Sequence, residues 1–280
     1  MQKYLGEYTI ALMCRTLNVS RSGYYRWLNA PQSHYHQKRK SIESAVIELY
    51  QKFKKRYGAP RITVELNANG LSCCRNYVAK LMRLNGLKAR NGKSFRHGRT
   101  AEKVANVSRN LLKRDFTADE PNRKWTSDIT YIRVNEKWLY LATVMDLYSR
   151  KIVGWSLDTS MTVTLISDAL SMGFRHRNIE PGLIVHSDRG VQYRAHDYRG
   201  LIEREGGCSS MSRSGNCWDN APMESFFSRL KVELIYAEKF SSISEAKSSI
   251  FEYIEIFYNR VRRHSALGYM SPAEFERIGA

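Results

Sequence analysis

Hydrophobic positions recur at helical spacing through the first third of the chain and at strand spacing after residue 121. Residues 9–16 carry Ile10, Leu12 and Met13, and residues 21–28 follow the turn Leu17-Asn18-Val19-Ser20, in which Ser20 is a natural N-cap. The pair is expected to form a helix-turn-helix-like segment over residues 1–30. Pro31 breaks the chain. A long helix is predicted over residues 37–57, with Ile42, Val46, Leu49, Tyr50 and Phe53 on one stripe, then shorter helices over 61–67 and 75–84, stopped by Asn85-Gly86. Residues 88–99 show no apolar period and read as an extended basic arm.

Beyond residue 121, β-rich runs at 125–134, 138–146 and 151–157 predict an antiparallel meander. A helix over 162–175 follows, then a strand at 183–186, a helix at 195–205, a strand at 208–211 and a helix carrying Glu224. A last helix over 244–258 precedes the basic run Arg260-Val261-Arg262-Arg263-His264. Three strands and then alternating helix and strand predict an α/β class with a mixed sheet flanked by helices. The divisions expected are 1–30, a helical DNA-binding region over 31–87, a basic linker arm over 88–120, and a core with a helical extension over 121–280.

Charge sharpens this. The 280 residues carry a net charge of +18. Through Glu120 there are 24 Lys+Arg against 8 Asp+Glu, and from Pro121 onward 21 against 19, so nearly all the surplus lies in the leader. Such a surplus suits a polyanion; a merely solvated basic surface is the alternative. Arg21, Tyr24 and Arg26 in the second helix, and Lys93 and Arg96 in the arm, are the candidate DNA contacts. Cys14, Cys73, Cys74, Cys208 and Cys217 show neither a CxxC pair nor a disulfide-framework spacing, so reduced thiols are expected. The longest apolar runs are strand-sized and the start has no signal-peptide layout, which points to a cytoplasmic protein without a membrane span.

Three acids stand where secondary structure alone does not ask for them. Asp128 lies inside a β-run, where aspartate is depleted, and Asp188 ends the apolar strand Ile184-Val185-His186-Ser187. Glu224 sits about one turn into a helix whose N-cap is Asn220 and whose first turn holds Pro222. Seven residues on, Lys231 falls on the same face, while Phe227, Leu230 and Leu234 form the apolar stripe. Clustered carboxylates are what two-metal phosphoryl transfer requires. Helix caps and surface acids are the competing reading of the trio. Asp146 has the same look as Asp188 but precedes a turn, and is read as a turn-former or a partner of Arg150.

The strand with Trp125-Thr126-Ser127-Asp128-Ile129-Thr130-Tyr131, the run His186-Ser187-Asp188-Arg189-Gly190-Val191-Gln192-Tyr193 and the segment from Ser212 through Glu224 resemble the OrfB-type transposases of the insertion-sequence-three family. The 35 residues between Asp188 and Glu224 match that family's DDE spacing, and Tyr258-Asn259-Arg260, Arg262-Arg263-His264, Leu267-Gly268-Tyr269 and Ser271-Pro272 match its end. The resemblance implies a retroviral-integrase-like core of RNase H fold, with Asp128, Asp188 and Glu224 binding two Mg²⁺ or Mn²⁺ ions. It implies DNA 3′-end cleavage at terminal inverted repeats and strand transfer into target DNA in a bacterial, nucleoid-associated setting. It also implies that Lys231 contacts terminal DNA and that Gln192, Tyr193 and Arg213 line the strand path; a surface salt bridge is the alternative for Lys231.

The related retroviral integrases carry a His-His-Cys-Cys zinc site. Here His34 and His36 are followed only by adjacent Cys73-Cys74, so no structural zinc is expected. The resemblance further implies a homodimer or higher oligomer on DNA and an upstream OrfA-type fusion or partner. A non-catalytic DNA-binding regulator and a plain RNase H-type nuclease are the rival functions.

Overall fold

The computed structural model describes residues 1–29, 34–90, 107–214 and 216–279, and the chain divides into two compact units, Met1–Lys88 and Ala89–Ala280. Lys93 and Arg96 lie outside the described residues.

The first unit is helical: α1 Ile10–Thr16, α2 Arg21–Asn29, α3 His34–Lys52, α4 Ala59–Ala68 and α5 Arg75–Leu84. The Thr9 hydroxyl accepts the Leu12 N–H at 3.3 Å and opens α1. Ser20 accepts the Gly23 N–H at 3.0 Å and opens α2, the cap expected of it. The long helix stops earlier than its periodicity suggests. Lys54 and Lys55 take φ of 50° and 63°, which turns the chain so that Tyr57 stacks on Phe53 at 4.1 Å. Burying that second ring outweighs continuing a helix whose next residues are all basic. Val46, Ile62, Leu66 and Val78 are fully buried and form the centre of this unit.

The second unit runs β1 Lys124–Val134, β2 Lys137–Asp146, β3 Ile152–Asp158, α6 Val163–His176, β4 Ile184–Ser187, α7 His196–Arg204, β5 Cys208–Met211, α8 Ala221–Leu230, α9 Ile243–Phe251 and α10 Pro272–Gly279. One π-helical turn, Lys231–Ile235, follows α8, and a π-helical segment, Glu252–Tyr258, extends α9. The sheet order is β3-β2-β1-β4-β5, antiparallel for β1–β2 and β2–β3, parallel for β1–β4 and β4–β5. Tight turns with Asn135 and Arg150 at positive φ join the first three strands, whereas β4 and β5 are each reached through a helix, the kind of crossover that parallel pairing requires. This is the mixed sheet flanked by helices that the sequence predicted.

On one face Trp125, Val144 and Val153 pack with Leu165, Ile166 and Ala169 of α6 and with Tyr198 and Ile202 of α7. Helix α6 and β3 approach so closely that a Cβ on Gly154 would fall against the Ala169 carbonyl and the Gly173 N–H. On the other face the Thr143 hydroxyl meets Met223 Sδ at 3.6 Å and Phe226 meets Tyr258 edge-on at 4.7 Å. Asn259 takes the place of a strand neighbour for β3, accepting the Ile152 N–H at 2.9 Å and donating to the Ile152 carbonyl at 2.9 Å.

Asp146 forms the turn expected of it by accepting the Tyr148 N–H at 3.0 Å, but its charge partner is Arg177 at 3.7 Å. Arg150 instead donates to the Phe116 carbonyl at 3.0 Å. Asp146 and Glu276 of α10 share Arg177, which ties α10 to the sheet. Among the described residues no helix is long and apolar enough to cross a membrane.

Candidate active site

Strand β1 pairs with β4 only at Lys124–Ile184, Trp125–Val185 and Thr126–His186. Asp128 and Asp188 each lie two residues beyond the last of these pairs, so they stand side by side where the strands part. Such a fork, at the carboxyl end of parallel strands, is where α/β sheets gather ligands. The third acid is delivered by α8. Asn220, just before that helix, accepts the Thr126 hydroxyl and donates from Nδ2 to the Ser127 carbonyl at 3.2 Å. Glu224, one turn further, is thereby held against the same stretch of β1.

The expected N-cap thus works differently from a cap. Its side chain makes no bond to α8 and is spent on β1. A helix that begins with Pro in its first turn has fewer orphan N–H groups to satisfy, which frees Asn220 for this task.

The acids act on one another. Burial, and then the neighbouring Asp188, hold the Asp128 carboxyl well above the ordinary range; Glu224 adds to this, while the Ile129 N–H at 2.8 Å and Lys231 oppose it. Asp188 is open to solvent on one side, yet the surrounding chain raises its carboxyl too, against a 2.8 Å bond from the Gly190 N–H. Among the described residues no group of three His, Cys, Asp or Glu side chains is arranged to hold a metal ion as it stands. The donor set is nonetheless all hard oxygen, and its crowding of like charge is what a divalent cation relieves.

Lys231 lies where α8 passes into the π-helical turn. Its ammonium is half-buried over the Tyr131 ring, 4.8 Å from the centroid, and burial lowers its pKa while Asp128 raises it. Phe227, Leu230 and Leu234 are buried as their spacing predicted. Two residues past Lys231, Glu233 is enclosed with Arg262 at 2.7 Å, both side chains 2% exposed, and accepts the Tyr253 hydroxyl at 2.9 Å.

The remaining candidates are placed as follows. Gln192 is half-buried and donates to the Met161 carbonyl at 3.1 Å. Tyr193 is a core residue, its hydroxyl 3.1 Å from Ser127 Oγ beneath β1; a ring so enclosed has no surface along which a strand could pass. Tyr24 is likewise buried, against Tyr25 and Trp27, while Arg21 and Arg26 are exposed. Arg213 grips Asp219 in bidentate fashion, at 3.0 and 2.8 Å, and stays partly exposed.

Asp219 itself escaped the sequence reading, because an acid just before a helix looks like a cap. Its buried carboxylate also accepts from Arg114 at 2.8 Å and Asn110 at 3.0 Å, so residues 110–114 and 213–219 close around one charge. Hydrogen bonds from Arg213 hold that carboxyl well below the ordinary range, with Arg114 adding to them against burial. The only sequence signal was Arg213 six residues away.

His186 lies buried in the otherwise largely apolar strand β4. It bridges Ser210 at 2.8 Å and Ser212 at 3.1 Å. Since Ser210 Oγ already accepts the Leu111 N–H at 2.9 Å, its hydroxyl donates to Nδ1, and Nε2–H donates to Ser212, which in turn donates to the Ser187 carbonyl at 3.2 Å. Every direction is filled with the ring neutral. Burial accordingly lowers its pKa to about 4.

Family models described as Integrase core domain match residues 118–217 and 224–278, and one described as HTH-like domain matches residues 37–95. The last falls on α3–α5 rather than on the α1–α2 pair. Transposase InsF for insertion sequence IS3A of Escherichia coli (strain K12) is 44% identical over 278 residues, 99% of this chain and 96% of that protein. An insertion element IS600 31 kDa protein of Shigella sonnei is 42% identical over 263 residues, covering 94% and 97%. Among solved structures, the HTLV-2 integrase catalytic core domain in complex with magnesium, in its trimeric form, is similar at 12% identity and a TM-score of 0.44, over 60% of this chain and 99% of that one.

Proposed function

We propose, from the fact that this chain belongs to the IS3 family of insertion-sequence transposases with an integrase core, that Asp128, Asp188 and Glu224 are its catalytic centre for DNA cleavage and strand transfer. The observation that carries this reading is the fork between β1 and β4. It sets Asp128 beside Asp188, and Asn220 fastens the Glu224 helix to the same strand.

The three carboxylates would hold Mg²⁺ or Mn²⁺, two ions at a working site, closing the last distance when DNA arrives. When bound, such ions activate an attacking water or 3′-hydroxyl and stabilise the leaving oxygen. The protein's own part is positional. Asp128 and Asp188 would supply oxygen ligands from the two parting strands. Lys231, tethered over Tyr131, offers its ammonium to a phosphate at the DNA end. Gln192 and Arg213 would line the strand path, and Arg21 and Arg26 would add non-specific phosphate contacts. Joining two element ends asks for at least two copies on DNA, with an upstream OrfA-type product as fusion or partner.

The test uses labelled duplexes from the ends of the source element, with Mg²⁺ and the upstream partner supplied. Nicking that leaves a 3′-hydroxyl is expected, and Asp188→Asn or Glu224→Gln should lower it about a thousandfold, the loss of several kcal/mol of charge stabilisation. Tight binding without nicking, unchanged in Asp188→Asn, would instead identify a regulator, and degradation of RNA–DNA hybrid an RNase H-type nuclease.

A further inference from the structure

Past Thr126, no strand among the described residues pairs with β1 on the β4 side, and two aromatic rings stand exposed on its outer stretch and on β2. Tyr131 is 55% exposed and Trp138 44% exposed, and the two meet edge-to-face at 5.4 Å across the hairpin. Each ring carries a cation. Lys231 Nζ lies 4.8 Å from the Tyr131 centroid and the Arg133 guanidinium 5.7 Å from that of Trp138. Tyr131 is three residues along β1 from Asp128, about 10 Å, and projects from the other face of the strand; Lys231 reaches both, since its charge acts on Asp128 while its ammonium rests on Tyr131.

We propose that Tyr131 and Trp138 form a stacking platform for an unpaired base at the DNA end, with Lys231 and Arg133 holding the phosphates on either side. The proposal rests on the reading of Asp128, Asp188 and Glu224 as a centre acting on DNA. A nucleic acid strand alternates a flat ring with an anion at each step, which is the alternation these four side chains present. An apolar peptide would cover both cations and give them no anion. A base inside a duplex has no free face, so the occupant is unpaired.

The experiment measures affinity of the full chain by fluorescence anisotropy in an Asp188→Asn background, where no cleavage intervenes. Two DNAs of the same end sequence are compared, one blunt and one forked with its last three bases unpaired. The forked end should bind about tenfold tighter, the gain from one stacked base. In the double variant Tyr131→Ala, Trp138→Ala the two affinities should become equal through loss on the forked DNA alone, while Tyr131→Phe, Trp138→Phe keeps the preference. A preference absent in the parent, or unchanged in the alanine variant, overturns the platform. So does equal weakening on both DNAs with the phenylalanine variant behaving alike, which marks a purely structural aromatic pair. Cleavage by the otherwise unmodified chain is scored separately. A fork preference in a chain that cannot cut would sink the catalytic reading and spare the platform, and acid-dependent cutting without the preference would do the reverse.

Discussion

Asn220 donates from its side chain to the carbonyl of Ser127 at 3.2 Å, so the residue that precedes the Glu224 helix is bonded to the residue that precedes Asp128. Two acids 96 positions apart in the chain are registered through one amide. Asn220→Ala should leave the fold intact at a cost of about 1–2 kcal/mol, because Thr126 and Ser127 lose a buried partner. End cleavage should fall about a hundredfold, the effect of misplacing a reacting group by about 1 Å. Chemical denaturation and cleavage of element ends by the same preparation check both numbers; loss of stability without loss of cleavage would remove Asn220 from the site.

The Glu233–Arg262 pair fixes the π-helical turn on which Lys231 stands. Both side chains are enclosed, and Arg262 also donates from Nε at 3.0 Å. Arg262→Met alone leaves the buried Glu233 carboxylate without its cation and should cost about 3–5 kcal/mol. Adding Glu233→Leu should recover most of that loss, since desolvating two charges offsets much of what their attraction contributes. Urea unfolding of the single and double variants decides it, and additive losses would contradict the expectation.

Gly154→Ala places a Cβ against the backbone of α6, at the Ala169 carbonyl and the Gly173 N–H. Backbone cannot rotate aside as a side chain can, so the helix must shift off the sheet. The expected loss is about 3 kcal/mol, at the upper end for overpacking, with a matching drop in thermal midpoint.

Glu276 contributes to the acid limit of the fold. Burial favours its neutral form, but hydrogen bonds from Arg177, Lys151 at 2.8 Å and Ser149 at 2.7 Å outweigh that, so its carboxyl lies below the ordinary value of 4.5. A depressed native pKa means that the unfolded chain binds more protons in the window below 4.5, so this stability is complete above 4.5 and is lost as pH falls through the native value. Glu276→Gln should destabilise the protein at pH 7 by roughly 3 kcal/mol and flatten the dependence of stability on pH below 4.5. Denaturation across that range, on both proteins, is the measurement; parallel curves would assign the acid limit elsewhere.

Much of this protein is legible in the residues alone. The change of period after residue 121 fixes where helices give way to a meander, and the alternating helices and strands that follow predict the mixed sheet. An aspartate inside a β-run and another at a strand end are conspicuous because their neighbours explain neither. The end of α3 was not legible, because a stack between Phe53 and Tyr57 is a contact that periodicity does not register.

What tertiary structure alone decided is the partner of each charge and the side of each ring. Asp146 pairs with Arg177, with Arg150 near enough to feel its charge, Arg213 pairs with Asp219, and Tyr193 and Tyr24 turn inward. The sequence determines which side chains are costly to leave unpaired; which group satisfies them depends on residues brought close by strand pairing and helix packing across many tens of positions. Asn220 holds both lessons: its place before a helix was written in the chain, and its bond to Ser127 exists only because α8 folds back onto β1.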